Sequence, residues 1–175
     1  LNDKKWSDFH GVKYQLMFKN RLQTHEYFQE WVKELDIESA LEIGGGVCEH
    51  KDLFKNYLCI DVNKNLKSNY VINADFLEYE SKHKFDLVFS HAVIDHSEKP
   101  NEFLLKSIKL AKKYVFHSVY RGLQRQSIRH LPPIIDKDNY VYNQLSEFEI
   151  KRVLKNYNYI LRKLENGNVC IIVKI

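Results

Sequence analysis

Three cysteines, three prolines and six glycines are few for a chain of 175 residues. Cys48, Cys59 and Cys170 are odd in number and scattered, which excludes a self-contained disulfide framework and the CxxC pairs of a zinc site. Unpaired thiols fit a reducing compartment, so a cytoplasmic location is expected. No Pro-, Gly- or Ser-rich linker and no internal repeat interrupts the chain, so a single domain is expected over residues 1–175. Uncharged apolar runs of the ~18 residues that a membrane helix needs are missing. No signal-peptide pattern opens the chain, which begins at Leu1 rather than Met, as a fragment of a longer protein would.

What the chain does have is an ordinary core composition, 44% hydrophobic and 13% aromatic, which argues against global disorder. Its net charge of +4 hides an asymmetry. Residues 36–100 carry 7 basic and 12 acidic side chains, whereas residues 101–163 carry 13 and 5. An acidic middle followed by a basic stretch points to two faces with different ligands, the alternative being solvated Lys-rich surfaces.

Periodicity places the elements. Phe28, Trp31, Val32 and Leu35 recur at helical spacing over residues 24–35, with Thr24 as the expected cap. Short apolar runs predict strands at 40–43, 57–60, 70–72, 85–89 and 114–116. Between the last two, Pro100 opens a helix with the stripe Phe103, Leu104, Ile108 and Ala111, and Lys112 and Lys113 are expected to complement its dipole. Ser146-Glu147-Phe148-Glu149 reads as a capping box. Asn166-Gly167 between residues 159–164 and 169–175 is a hairpin signal. Strands alternating with helices, then a terminal hairpin, predict an α/β fold with a mostly parallel sheet and helices on both faces.

In such a sheet, ligands bind beyond the carboxyl ends of the strands, where strand order reverses. Gly44-Gly45-Gly46 ends the first strand and lets backbone approach a ligand closely. Asp61, 19 residues beyond Glu42, ends the second and can accept from a ribose diol. Asp75 follows the third and suits an exocyclic adenine amine, and Ser90-His91-Ala92-Val93-Ile94-Asp95-His96 follows the fourth. A dinucleotide fingerprint would need glycine where Glu49 stands, an anion at the place of a pyrophosphate, so NAD is disfavoured.

Together these segments resemble class I S-adenosylmethionine-dependent methyltransferases. Leu41-Glu42-Ile43-Gly44-Gly45-Gly46 resembles the glycine motif of that family, Cys59-Ile60-Asp61-Val62 its ribose-binding strand end, and Asn73-Ala74-Asp75-Phe76 its adenine segment. Phe85-Asp86-Leu87-Val88-Phe89-Ser90 resembles the fourth-strand motif, and Ile94-Asp95-His96 the Leu-Glu-His that often follows it. Cys48 departs from the pattern, standing where a third glycine is common. The resemblance implies a Rossmann-like sheet with an antiparallel last strand. It also implies S-adenosylmethionine as cofactor, held by Glu42, Gly44, Gly45, Gly46, Asp61, Val62, Asp75, Phe76 and Ser90. Residues 37–120 would form the cofactor core, preceded by a helical segment (1–36) and followed by a substrate loop (121–145) and the terminal helix and hairpin (146–175).

Candidates for proton chemistry are His91, Asp95, His96 and His117, with His91 the expected base and His96 and His117 its alternatives. A base is needed only where the acceptor must lose a proton. Some related enzymes hold a metal with Glu-x-x-Glu-His. Here Ala92 replaces the first carboxylate, so no metal is expected. The segment 117–145 also holds Tyr120, His130, Tyr140, Tyr142 and three arginines four residues apart, Arg121, Arg125 and Arg129. On a helix these arginines would share one face and suit an anionic part of the acceptor, the alternative being a solvated face. The expected acceptor is a small molecule or glycan precursor. An RNA acceptor, lacking any recognisable binding motif, and an inactive methyltransferase-like interaction domain are the other readings.

Overall fold

Each apolar run forms a strand, and the strands' order in space differs from their order in the chain. The computed structural model describes residues 12–135 and 141–175, so Tyr140 lies outside the described residues. Two compact units divide between Asp36 and Ile37. Within the first, helix α1 (Val12–Lys33) is longer than its apolar stripe implies. Thr24 therefore lies inside the helix rather than capping it.

The second unit carries the sheet. In chain order its strands are β1 (Ser39–Ile43), β2 (Asn56–Asp61), β3 (Val71–Asn73), β4 (Phe85–His91), β5 (Ala111–Val119), β6 (Leu131–Ile135), β7 (Val141–Gln144), β8 (Asn158–Lys163) and β9 (Val169–Lys174). Seven of them form one sheet in the order β3-β2-β1-β4-β5-β9-β8, while β6 and β7 pair separately. β1 runs parallel to both β2 and β4, so the chain winds outward to β3, returns beside β1 and continues to β5. Strand order thus reverses between β1 and β4. β9 lies antiparallel between β5 and β8.

The central strands are apolar because both their faces are covered. Residues 86–91 of β4 are all buried, as are the first five residues of β9. Leu41, Val88, Val115, Ile171 and Val173 pack in one core with Phe103, Leu104 and Ile108 of α2 (Pro100–Leu110) and Ile150 of α3 (Glu147–Val153). Pro100 occupies the first turn of α2 as expected. Ala111, Lys112 and Lys113, however, already belong to β5, and the basic residue of the last helical turn is Lys109. The β-branched and aromatic run that follows pulls these three residues into the strand.

At α3 the Ser146 side chain accepts from the Glu149 N–H at 3.2 Å, one half of a capping box. The other half is replaced. The Glu149 carboxylate accepts from the His130 N–H, and the Ser146 N–H donates to His130 Nδ1. This exchange ties the segment before β6 to the start of α3.

Candidate functional site

The turn after β1 is shaped by what lies beneath it. Gly44 and Gly46 have φ of +66° and +54°, the left-handed region that suits glycine. A Cβ on Gly45 would lie 2.9 Å from both Cys59 Sγ and the Glu42 Cδ, so only glycine lets the loop settle onto β1 and β2. A Cβ on Gly46, by contrast, would meet nothing within 4 Å, because this glycine faces open space. Cys48 has φ +56°. The departure noted in the sequence therefore keeps the backbone conformation that a glycine would adopt, and it costs strain of about 1–2 kcal/mol.

Two carboxylates hold this turn. Glu42 is buried; Tyr57 donates its hydroxyl to Oε2, and His50 Nδ1 lies 3.2 Å from Oε1. The Tyr57 hydroxyl is pushed far above its usual range, first by burial and then by the Glu42 charge, so it stays a donor. Asp61 at the end of β2 is half-buried and divides its oxygens, Oδ2 accepting from the Gly46 N–H at 3.0 Å and Oδ1 from the Asn63 N–H at 2.8 Å. Each oxygen keeps lone-pair capacity beyond these bonds.

Beyond β2 and β3 the surroundings are more exposed. Val62 is 52% exposed beside Asp61, an apolar side chain at the strand end. Asp75 is exposed and accepts from the Leu77 N–H at 2.7 Å, forming a local turn. Phe76 is buried against Phe103, ring centroids 4.7 Å apart, so its side chain belongs to the core.

The residues after β4 and β5 divide by strand face. Ser90 and His117 are fully buried on adjacent strands, with Oγ and Nδ1 2.8 Å apart. Burial lowers His117 to about 3, so it is neutral at physiological pH. His91 lies on the opposite face, buried and stacked on His50 at 4.8 Å between centroids. His96 is half-buried and packs on Tyr142 of β7 at 4.7 Å. Ala92 has φ +52° and Arg121 has φ +66°. The three described non-glycine residues with positive φ, Cys48, Ala92 and Arg121, thus all lie in the segments that follow β1, β4 and β5.

The three arginines do not share a helix face. Gly122, also at positive φ, breaks the segment after Arg121, and no helix forms between β5 and β6. Arg121 stacks its guanidinium over Tyr142 at 4.7 Å and Tyr120 at 5.5 Å. Arg125 instead pairs with Glu147 at 3.1 Å, and Arg129 lies on an exposed turn whose backbone bonds Ser127.

No family model and no curated protein sequence matches this chain. Solved structures match across nearly its whole length. Magnesium protoporphyrin IX methyltransferase from Synechocystis PCC 6803 with bound S-adenosylmethionine aligns over 98% of this chain and 89% of its own, with a TM-score of 0.64 and 13% identity. The complex of DhpI with S-adenosylhomocysteine aligns over 98% and 91%, with a TM-score of 0.68 and 12% identity. A Burkholderia thailandensis 1,6-didemethyltoxoflavin N1-methyltransferase, bound to its acceptor and S-adenosylhomocysteine, aligns over 97% and 80%, with a TM-score of 0.58 and 8% identity. This is the class I S-adenosylmethionine-dependent methyltransferase fold.

The residues present at its ligand edge fit such a cofactor. Gly46 opens onto space, Asp61 offers a carboxylate there, and the exposed Glu49 is compatible with a ligand that carries no phosphate. Sequence reasoning missed the props under the glycine turn, Tyr57 and His50, and also Val93, whose Cγ2 would lie 2.6 Å from a Gly44 Cβ. No spacing rule signals these residues, since strand register and chain return bring them together. All three cysteines are free thiols, and among the described residues no helix is long and apolar enough to cross a membrane.

Proposed function

We propose that this chain is an S-adenosylmethionine-dependent methyltransferase acting on a small-molecule or glycan-precursor acceptor. The observation that carries the reading is the cradle at the reversal of strand order, where Asp61 braces Gly46 and Gly46 faces open space. Bound there, the cofactor supplies an electrophilic methyl group. Asp61 would accept from the ribose hydroxyls, Val62 would pack on the adenine, and Asp75 with the backbone at Phe76 would meet its edge. Gly44, Gly45 and Gly46 allow close backbone approach. Glu42 supports them from below, and Ser90 closes the floor between β4 and β5. The chain's main catalytic contribution is then alignment of the acceptor behind the methyl group, a positioning effect of about 7–11 kcal/mol.

A small acceptor is favoured by the similar structures, among them one determined with its small-molecule acceptor in place. An anionic acceptor is favoured by Arg121, whose guanidinium stacks on Tyr120, just past β5, and on Tyr142 of β7. Three of the other basic residues of this region are paired with acids, Arg125 and Lys151 with Glu147 and Arg152 with Glu149. Calorimetry tests the cofactor directly. S-adenosylhomocysteine should bind at micromolar levels and NAD much more weakly. Equal or tighter binding of NAD would reverse the assignment.

A further inference from the structure

One carboxylate at the ligand edge is buried with an oxygen unused. Asp95, 1% exposed, sits in the single 3₁₀ turn Ile94–His96 after β4. Its Oδ2 accepts from the Tyr120 N–H at 3.3 Å, and Oδ1 has no hydrogen-bond partner among the described residues. Native folds rarely leave such an atom without a partner, so a water, an ion or a ligand group is expected to meet it. The same turn touches both halves of the site. Val93 lies against Gly44 of the cofactor turn, while His96 packs on Tyr142, which lies under the Arg121 guanidinium.

We propose that Asp95 Oδ1 receives the nucleophile of the methyl acceptor, a hydroxyl or amino group, and takes its proton. The inference rests on the methyltransferase reading. The acceptor's O–H or N–H bond breaks and its electron pair stays on the oxygen or nitrogen, which forms the new bond to the methyl carbon. The proton passes to Oδ1, and the electrons of the broken C–S bond remain on sulfur, leaving a neutral thioether. Arg121, exposed and stacked on Tyr120 and Tyr142, supplies the charge that would hold an anionic part of the acceptor.

The neighbouring histidines are worse placed for this task. His117 is bonded to Ser90 within the sheet and held near 3 by burial, too weak a base at neutral pH. His91 points to the other face of β4 from Ser90 and His117, where its ring stacks on His50. Burial lifts Asp95 to about 6, with His96 and Arg121 opposing, which brings it toward the range suited to proton transfer at neutral pH.

The sign of the linkage makes the proposal testable without an acceptor. A carboxyl raised from 3.8 to about 6 binds its proton more tightly in the folded state. Stability is therefore lost as pH rises from about 4 to about 6, and the penalty is complete above that. Asp95→Asn keeps an oxygen for the Tyr120 N–H and removes the charge. The variant should therefore unfold at an equal or higher temperature than the wild type at pH 8, with that advantage shrinking at pH 4.

S-adenosylhomocysteine affinity, measured by calorimetry, should be unchanged. Turnover on a panel of alcohols, phenols and primary amines should fall by about 10²–10⁴-fold. If Asp95→Asn unfolds several degrees lower at pH 8, Asp95 is a structural strut and the proposal is overturned. Retained turnover with the wild-type pH profile overturns it as well. If the wild type itself binds no S-adenosylhomocysteine, the methyltransferase reading fails first, which separates the two claims.

Discussion

The ends of β1 and β2 and the ends of β4 and β5 form one edge of the same sheet, yet they are finished in opposite ways. At the first pair each carboxylate oxygen has a partner, Glu42 with Tyr57 and His50, Asp61 with Gly46 and Asn63. At the second pair Asp95 Oδ1 and His117 Nε2 are buried with no hydrogen-bond partner among the described residues. A site that always meets the same ligand can be satisfied in advance, so that little reorganisation is needed on binding. A site that must accept a proton or admit a variable partner keeps unsatisfied groups. On the proposed function, the contrast is that between a cofactor end and an acceptor end.

The sharpest way to break the comparison is to remove the support under the first end. Glu42→Ala should leave the Tyr57 hydroxyl and His50 Nδ1 buried without their acceptor, costing about 2–4 kcal/mol of folding stability. Glu42→Gln, which keeps an oxygen for one donor, should cost less. Urea unfolding of the two variants tests this order, and wild-type stability in Glu42→Ala would show that the carboxylate props nothing.

Next in size is Asp61, where the loss should appear in ligand affinity more than in folding. Asp61→Ala removes charge-assisted bonds proposed to reach the ribose, worth on the order of 1.5–3 kcal/mol, or roughly 10- to 150-fold in S-adenosylhomocysteine affinity. It also frees the Gly46 and Asn63 N–H groups, which are close enough to solvent to bond water. Unchanged affinity in a normally folded variant would remove Asp61 from the site and leave the two ends less different than they look.

Much of this architecture was legible in the chain because burial on both faces writes a strand as a short apolar run. β1, β2, β4 and β5 all carry that mark. The glycine run was legible because a turn at positive φ, laid closely onto the strands beneath it, needs glycine, and Asp61 because an acid that ends an apolar run stands out. The arginines at four-residue spacing misled for a physical reason. Such spacing defines a face only where a helix exists, and Gly122 at positive φ ends any helix before it starts. The partners of Glu42 were invisible because Tyr57 reaches it only through the parallel register that sets Glu42 opposite Cys59. Asp95 was visible as an acid after β4, but its unused oxygen depends on Tyr120, 25 residues away.

The smallest expected effects separate two arginines that look alike in sequence. Arg125 is exposed and paired with Glu147, which Lys151 also contacts, at 2.6 Å. An exposed pair of this kind contributes about 0–1 kcal/mol and is screened by salt, and Lys151 remains to serve Glu147 when Arg125 is gone. Arg125→Ala should therefore leave both stability and acceptor KM nearly unchanged. Arg121 has no carboxylate at ion-pair distance among the described residues, and its guanidinium is held instead over two tyrosine rings. Arg121→Ala should cost little in stability, because a stacked cation on an exposed ring contributes about 0.5–1 kcal/mol and the left-handed strain at this position persists in alanine. It should raise the KM of an anionic acceptor several-fold at low salt and less at moderate salt, with cofactor affinity unaffected. Parallel assays of both variants at two salt concentrations decide the matter. Equal KM values for the two would mean that Arg121, like Arg125, is only a surface charge, and that recognition at the acceptor end rests on Asp95 and the rings around it.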